Sequence, residues 1–318
     1  MPSVPLAPES SPLQPLTRLA AAFGPDCPRL FIKRDDLLSF GMGGNKVRKM
    51  QTVLAEAIAA GADTLITCGG VQSNHARVTA AAGAALGLKV ILVLNSPQGR
   101  PPDRLSGNVL LDRLFHADVR YVASRDARAP RMEGIAAELR TRGKHPFVIP
   151  VGASTATGAL GFARGVAELA AAGVKPSVIV HSTSSGGTQA GLIAGCALLG
   201  VRARVLGISA DDSAAELRGT VGGLLQEMAR RLGSAPASMG ADAAIEVDDR
   251  FAGEGYGIPT PASTEALELV AQREGIVLDP VYTAKAMAGL LAGIHTGEFS
   301  KNDTIVFWHT GGTAGLFA

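Results

Sequence analysis

Residues 64–94, TLITCGGVQSNHARVTAAAGAALGLKVILVL, decide the fold. Thr64 to Cys68 form a short run rich in apolar and β-branched side chains that ends at Gly69-Gly70, and it reads as a buried strand. Ser73 or Asn74 is placed to cap a helix running to about Leu86. Lys89 to Leu94, KVILVL, is a second buried strand. Apolar strands without alternation, joined by a helix, make a right-handed βαβ unit in a parallel sheet.

The same alternation continues outward on both sides. Upstream, Leu30-Phe31-Ile32 reads as a strand, and Val47, Met50, Val53, Leu54, Ala57 and Ile58 follow helical spacing. Downstream, a helix over 105–115, a strand over 119–122, a helix over 132–141 and a strand over 146–149 complete one run. A second run begins near Thr155, with helices over 158–172, 188–199, 212–232, 261–274 and 284–296. Its strands fall at 177–182, 204–209, 245–247 and 304–308. The pattern predicts an α/β protein with two open, twisted parallel-sheet domains. The smaller spans 50–155, and the larger combines 1–49 with 156–318. The strand at 30–32 could join either sheet. Residues 1–29 read as a proline-punctuated arm with one short helix at 16–23. The charged runs 33–36 and 248–250 read as solvated or structural.

Length and composition agree with this reading. A chain of 318 residues, 47% hydrophobic and 18% charged, can bury two cores. A net charge of +2, with no basic run interleaved with aromatics, argues against a nucleic-acid surface. Cys27, Cys68 and Cys196 lie far apart, which suits a reducing compartment and offers no zinc site. The opening MPSVPLAPESSP carries prolines and Glu9 where a signal peptide has basic and apolar regions. The longest apolar run, 190–201, is too short to span a bilayer. The expectation is a soluble cytoplasmic protein with a small-molecule substrate and no nucleic-acid or membrane partner.

Four constellations carry chemistry. Gly41, Gly43 and Gly44 precede Asn45-Lys46, so Lys46 sits where a flexible loop becomes a helix start. Helix dipole and unpaired N–H groups disfavour an ammonium there, and such a lysine can form a Schiff base with an aldehyde. His181-Ser182-Thr183-Ser184-Ser185-Gly186-Gly187-Thr188 lies between a strand and a helix start, and from 182 onward every residue is a hydroxyl or a glycine. That is a cradle for a phosphate; no lysine follows it, and it matches neither the nucleotide P-loop nor G-x-G-x-x-G. Gln72-Ser73-Asn74-His75 places four polar side chains at a strand end, as caps or as binding groups. Tyr256 and Tyr282 lie in loops just before helices, and Thr310 offers a neutral hydroxyl beyond the last strand. An aldehyde-binding amine, an anion site and a partner for a ring nitrogen are what pyridoxal phosphate requires.

Gly43-Gly44-Asn45-Lys46-x-Arg48-Lys49, Gln72-Ser73-Asn74-His75, Ser185-Gly186-Gly187-Thr188-x-Ala190-Gly191, Tyr256-Gly257-x-Pro259, Asp279-Pro280-Val281-Tyr282 and His309-Thr310-Gly311-Gly312 occur in that order. The set resembles the family of D-cysteine desulfhydrases and 1-aminocyclopropane-1-carboxylate (ACC) deaminases, tryptophan-synthase-β-like pyridoxal-phosphate enzymes of fold type II. The resemblance implies two domains with the cofactor between them, and a homodimer. It implies that Lys46 holds the cofactor covalently, Asn74 bonds its ring hydroxyl, Ser185, Gly186, Gly187 and Thr188 hold its phosphate, and Thr310 meets its ring nitrogen. Ser73 would contact the substrate carboxylate, with His75 beside it, and Tyr256 and Tyr282 would flank the substrate. ACC deaminases typically carry glutamate where this chain has Thr283, leucine where it has Thr310, and glutamine where it has His75. These departures favour β-elimination from D-cysteine, with ACC deamination or a lyase acting on another β-substituted amino acid such as L-cysteate as alternatives.

Overall fold

The strand–helix–strand unit of 64–94 forms the middle of a four-stranded sheet. In the computed structural model, which describes residues 2–7, 9–241 and 244–318, this unit comprises β3 (Thr64–Gly70), α3 (Asn74–Leu86) and β4 (Lys89–Asn95). The strands pair in parallel from Thr64↔Lys89 to Gly70↔Asn95. β5 (Asp118–Val122) and β6 (Pro146–Val148) add to the two edges in parallel, giving the order β5-β4-β3-β6. The connecting helices are α4 (Gly107–Leu114) and α5 (Arg128–Thr141). Leu65, Leu92 and Leu94 bury one face of this sheet against Val78 and Ala82 of α3, while Ile66 and Val93 bury the other against Ile135 and Ala136 of α5.

A six-stranded sheet holds the remainder, in the order β1-β2-β10-β7-β8-β9. Its strands are β1 (Leu13–Pro15), β2 (Arg29–Arg34), β7 (Val178–Thr183), β8 (Arg204–Ser209), β9 (Glu246–Asp248) and β10 (Thr304–His309). The strand that the sequence left unassigned, β2, belongs here and pairs in parallel with β10, Arg29↔Thr304 to His309↔Arg34. β7 and β10 are buried at every position, as strands covered on both faces must be. The covering helices are α1 (Thr17–Ala22), α6 (Ala156–Ala171), α7 (Gly187–Leu199), α8 (Ala214–Leu232), α9 (Pro261–Glu274) and α10 (Thr283–His295). Helix α2 (Asn45–Ala59) leads from one sheet to the other, and ten of its fifteen residues are buried.

One expectation needs correction: β1, within the arm read as carrying only one short helix, is an antiparallel edge strand along β2. Of the two readings of the run 33–36, the structural one holds: Lys33 and Asp35 are 1% and 0% exposed. They belong to a buried, charge-balanced network. Asp35 accepts hydrogen bonds at 2.8 Å from Ser11 Oγ, from Arg48 Nε and Nη2, and from Trp308 Nε1. Glu168 on α6 accepts from Lys33 Nζ and from both terminal nitrogens of Arg48, each at 2.8 Å. Burial pushes the Glu168 carboxyl up, but Arg48 and Lys33 outweigh it and hold it below the ordinary range. The network fixes α2 to β2, β10 and α6, directly behind the residue that follows the glycine loop.

Candidate active site

The carboxyl ends of the parallel strands in both sheets face one cleft of about 860 Å³, its open mouth included. Open α/β sheets bind ligands at such ends. Lys46 reaches it from the second position of α2. The loop before it makes that possible: Gly44, at φ +100°, lies so close to the segment after β10 that a Cβ would sit 3.0 Å from the Thr310 carbonyl oxygen. Asn45 N–H donates to that same carbonyl at 2.9 Å, tying the start of α2 to the end of β10. Burial lowers the Lys46 pKa from 10.5 to about 8. Desolvation thus accounts for the shift that the sequence assigned to the helix terminus.

The hydroxyl-rich turn after β7 supplies the opposite wall, with Ser185, Gly186 and Thr188 in the lining. Thr188 Oγ1 accepts from Asn45 Nδ2 at 2.9 Å, and Ser185 Oγ accepts from Ser154 Oγ at 2.8 Å. Gly187 opens α7, and a Cβ on it would meet Ser154 Oγ at 2.7 Å and Lys49 Nζ at 2.8 Å. Lys49, one helical turn beyond Lys46, is fully buried and donates to Gly152 O at 3.1 Å and Ser154 Oγ at 3.2 Å. The lysine absent from the turn's own sequence therefore arrives from α2. Burial and the neighbouring Lys46 charge lower the Lys49 pKa well below 10.5. Ser182 Oγ and Thr183 Oγ1 are buried without a hydrogen-bond partner, although buried hydroxyls ordinarily have one. Unpaired hydroxyls, a helix N-terminus and a lysine held without a carboxylate fit a phosphate group.

From the four-stranded sheet come Ser73, Asn74 and His75, all in the lining. Ser73 Oγ caps α3 by accepting from Ala76 N at 3.2 Å. His75 Nε2 lies 2.7 Å from Thr67 Oγ1, whose own proton goes to Ile149 O at 2.8 Å. Nε2 must therefore carry the hydrogen, leaving Nδ1 as an unpaired acceptor. Burial, then the charges of Lys46 and Lys49, push the His75 pKa well below 6.5, so the ring is neutral. Gln72, grouped with these three in the sequence, turns away from the cleft toward α4, where its Oε1 accepts from Asn108 N at 2.8 Å.

Tyr256 and Tyr282 meet across the mouth, hydroxyl to hydroxyl at 2.6 Å with rings edge-on at 5.8 Å. Two buried groups to which the sequence reading gives no role hold this pair. Asp279 accepts from the backbone N–H groups of Val281, Tyr282 and Thr283 and from Thr283 Oγ1, which sets Tyr282 at the start of α10. Lys285 Nζ donates to the carbonyls of Ala210, Ala252 and Gly255, which anchors the Tyr256 loop to the end of β8. Burial drives the Tyr282 phenol well above 10, so it stays a proton donor. Thr310 lines the cleft floor, whereas Thr283 is fully buried against Asp279 and outside the lining. Arg125 and Arg128 also line the mouth, with Arg125 Nη1 3.1 Å from Asp211 Oδ2. No group of three or more metal-ligating side chains occurs among the described residues. No described helix is long and apolar enough to cross a membrane.

Comparison with known proteins follows the same lines. The chain is 40% identical to a D-cysteine desulfhydrase of Salmonella choleraesuis (strain SC-B67) and 41% identical to one of Klebsiella pneumoniae (strain 342). Each match spans 313 residues, 97% of this chain and 93% of the relative. A crystal structure titled as that of the ACC deaminase homologue superposes with a TM-score of 0.91 at 38% identity, covering 100% of this chain and 94% of that one. The sequence profile of the family described as "Pyridoxal-phosphate dependent enzyme" matches residues 4–311, and the chain belongs to that family, as an enzyme of fold type II with pyridoxal phosphate as its cofactor.

Proposed function

We propose that this enzyme performs β-elimination on D-cysteine, forming pyruvate, sulfide and ammonia. The observation that carries the reading is the near-full-length likeness to two D-cysteine desulfhydrases. The cleft supports it: a neutral Thr310 on the floor, and at position 283 a threonine bonded to Asp279 rather than a glutamate. A bound cofactor would supply an aldehyde for the amino-acid nitrogen and an electron sink for Cα. Lys46, once free of the cofactor, moves the α-proton, a task suited to an amine with a pKa of about 8. Ser73 and the start of α3 receive the substrate carboxylate, with the neutral His75 behind them. The Tyr256–Tyr282 pair closes over the β-substituent, and the Tyr282 phenol, kept protonated, donates a hydrogen bond to the departing sulfur. Asn74 would meet the cofactor's ring oxygen, Ser185, Gly186, Gly187 and Thr188 would hold its phosphate together with Lys49, and Thr310 would meet its ring nitrogen without protonating it.

The direct test is a panel of both cysteine enantiomers, L-cysteate and ACC, read out as keto acid. D-cysteine should yield pyruvate with a kcat/KM about 100-fold or more above that for ACC. A larger yield of 2-oxobutanoate from ACC would favour the second reading, suggested by the likeness to the ACC deaminase homologue. Lys49→Met removes one charge-assisted bond and should weaken cofactor retention by about 10- to 100-fold. Equilibrium dialysis followed at the bound-cofactor absorbance measures this, and unchanged retention would remove Lys49 from the phosphate site.

We further infer that residues 50–155 form the smaller domain, with 1–49 and 156–318 as the larger. The two separate sheets support this division. A cytoplasmic homodimer is in keeping with the family resemblance and with three free cysteines.

A further inference from the structure

Helix α4 contributes nothing to the cleft lining, yet its first turn is tied to the segment that does. Asn108 is fully buried and makes three hydrogen bonds there. Its backbone N–H donates to Gln72 Oε1 at 2.8 Å. Its Nδ2 donates to the Gln72 carbonyl at 2.8 Å and to Asn74 Oδ1 at 3.0 Å. The neighbouring Gly107, at φ +53°, allows this approach, since a Cβ there would lie 2.5 Å from Gln72 Oε1 and 2.9 Å from the Ala314 carbonyl oxygen.

These bonds fix which end of each amide is which. The Gln72 carbonyl can only accept, so the Asn108 atom facing it is the nitrogen. That nitrogen also faces Asn74, so the Asn74 atom it meets is the oxygen. Reversing Asn74 would set two NH2 groups 3.0 Å apart. Its Nδ2 is therefore left to serve the cleft, and it has no protein acceptor among the described residues.

We propose that Asn108 is a positioning residue: it locks the Asn74 carboxamide with its NH2 toward the cleft, where that group donates to the ring oxygen of the cofactor. The inference rests on the assignment of Asn74 to that oxygen. A donor there stabilises the ring oxygen as an anion, which the absorbance of the bound cofactor reports without turnover. Asn108→Asp is nearly isosteric and keeps the backbone bond to Gln72, but its carboxylate accepts where the amide donated. Asn74 then turns its NH2 toward residue 108 and presents oxygen to the ring.

The test uses three holoenzymes, Asn74→Ala, Asn108→Asp and the double variant, with Asn108→Leu as a fourth that removes the donor without adding charge. Absorption spectra from pH 6 to 10 and cofactor retention on dialysis are the readouts. Asn74→Ala and both Asn108 variants should shift the absorption band in the same direction and weaken retention by about tenfold. The double variant should go no further than the larger single effect, because both substitutions remove one interaction. If Asn74→Ala changes the spectrum and neither Asn108 variant does, Asn108 has only a structural role and the inference is overturned alone. If Asn74→Ala also leaves the spectrum unchanged, the placement of Asn74 fails and the inference fails with it.

Discussion

Lys46→Ala is expected to lower turnover by about 10³-fold or more and to remove covalent attachment of the cofactor. The first loss follows from taking away the proton carrier, the second from taking away the nitrogen that bonds the aldehyde. The neighbouring Lys49 should not substitute, because its side-chain nitrogen is buried and already donates to Gly152 O and Ser154 Oγ. Borohydride reduction followed by mass spectrometry of the intact chain should find the cofactor adduct in the parent protein and none in the variant. The sign of the pH effect is fixed too. Only the neutral amine attacks an aldehyde, and Lys46 has its pKa lowered to about 8. Capture of the cofactor by the cofactor-free protein should therefore speed up by about tenfold per pH unit below 8 and level off above it. A variant that keeps full turnover, or a capture rate that stays flat from pH 6 to 8, would remove Lys46 from its role.

Asp35→Ala should cost about 3–5 kcal/mol of stability, the range for removing one partner from a buried ion network. Four donors lose their acceptor at once: Ser11 Oγ, two nitrogens of Arg48 and the Trp308 indole N–H. Arg48 keeps Glu168, but the cluster is left with two cations and one carboxylate in a buried site where solvent screens them little. Denaturant unfolding of the cofactor-free protein measures the loss. An exposed pair such as Arg100–Asp103 gives the contrast: its removal should change stability by well under about 1 kcal/mol. A loss at Asp35 no larger than that would mean the network does not hold α2 in place. Arg48 shares that helix with Lys46 and Lys49, so the variant should also bind cofactor more weakly.

Much of this arrangement was legible in the sequence because it is locally encoded. The βαβ alternation reports strands buried on both faces, and the glycine loop before Lys46 and the hydroxyl turn before α7 are contiguous stretches. What stayed hidden depends on distant partners. Lys33 and Asp35 look like a surface run until Glu168 and Trp308 are brought to them. β1 carries Pro15 and reads as irregular, yet it lies on a sheet edge, where the missing N–H costs no ladder bond. The helix read over 132–141 begins earlier, at Arg128, because α5 accommodates Pro130 in its first turn. The role of Lys49 at the phosphate side is not local to the glycines of 186–187, because the lysine comes from α2, far earlier in the chain. Its signal was the Lys46-x-x-Lys49 spacing, which puts both amines on neighbouring faces of one helix turn.

The parallel pairing of β2 with β10 sets an order of events during synthesis. Residues 29–34 are made early, yet their central neighbour in the sheet is 304–309, and Asn45 N–H waits for the carbonyl of residue 310. A nascent chain still being translated through α8 already holds Lys46, the hydroxyl turn and the whole four-stranded sheet, but not the floor of the cleft. Completion of the cleft must therefore wait for the last strand, and until then the unpaired edges of β2 and β7 are surfaces that a chaperone would shield.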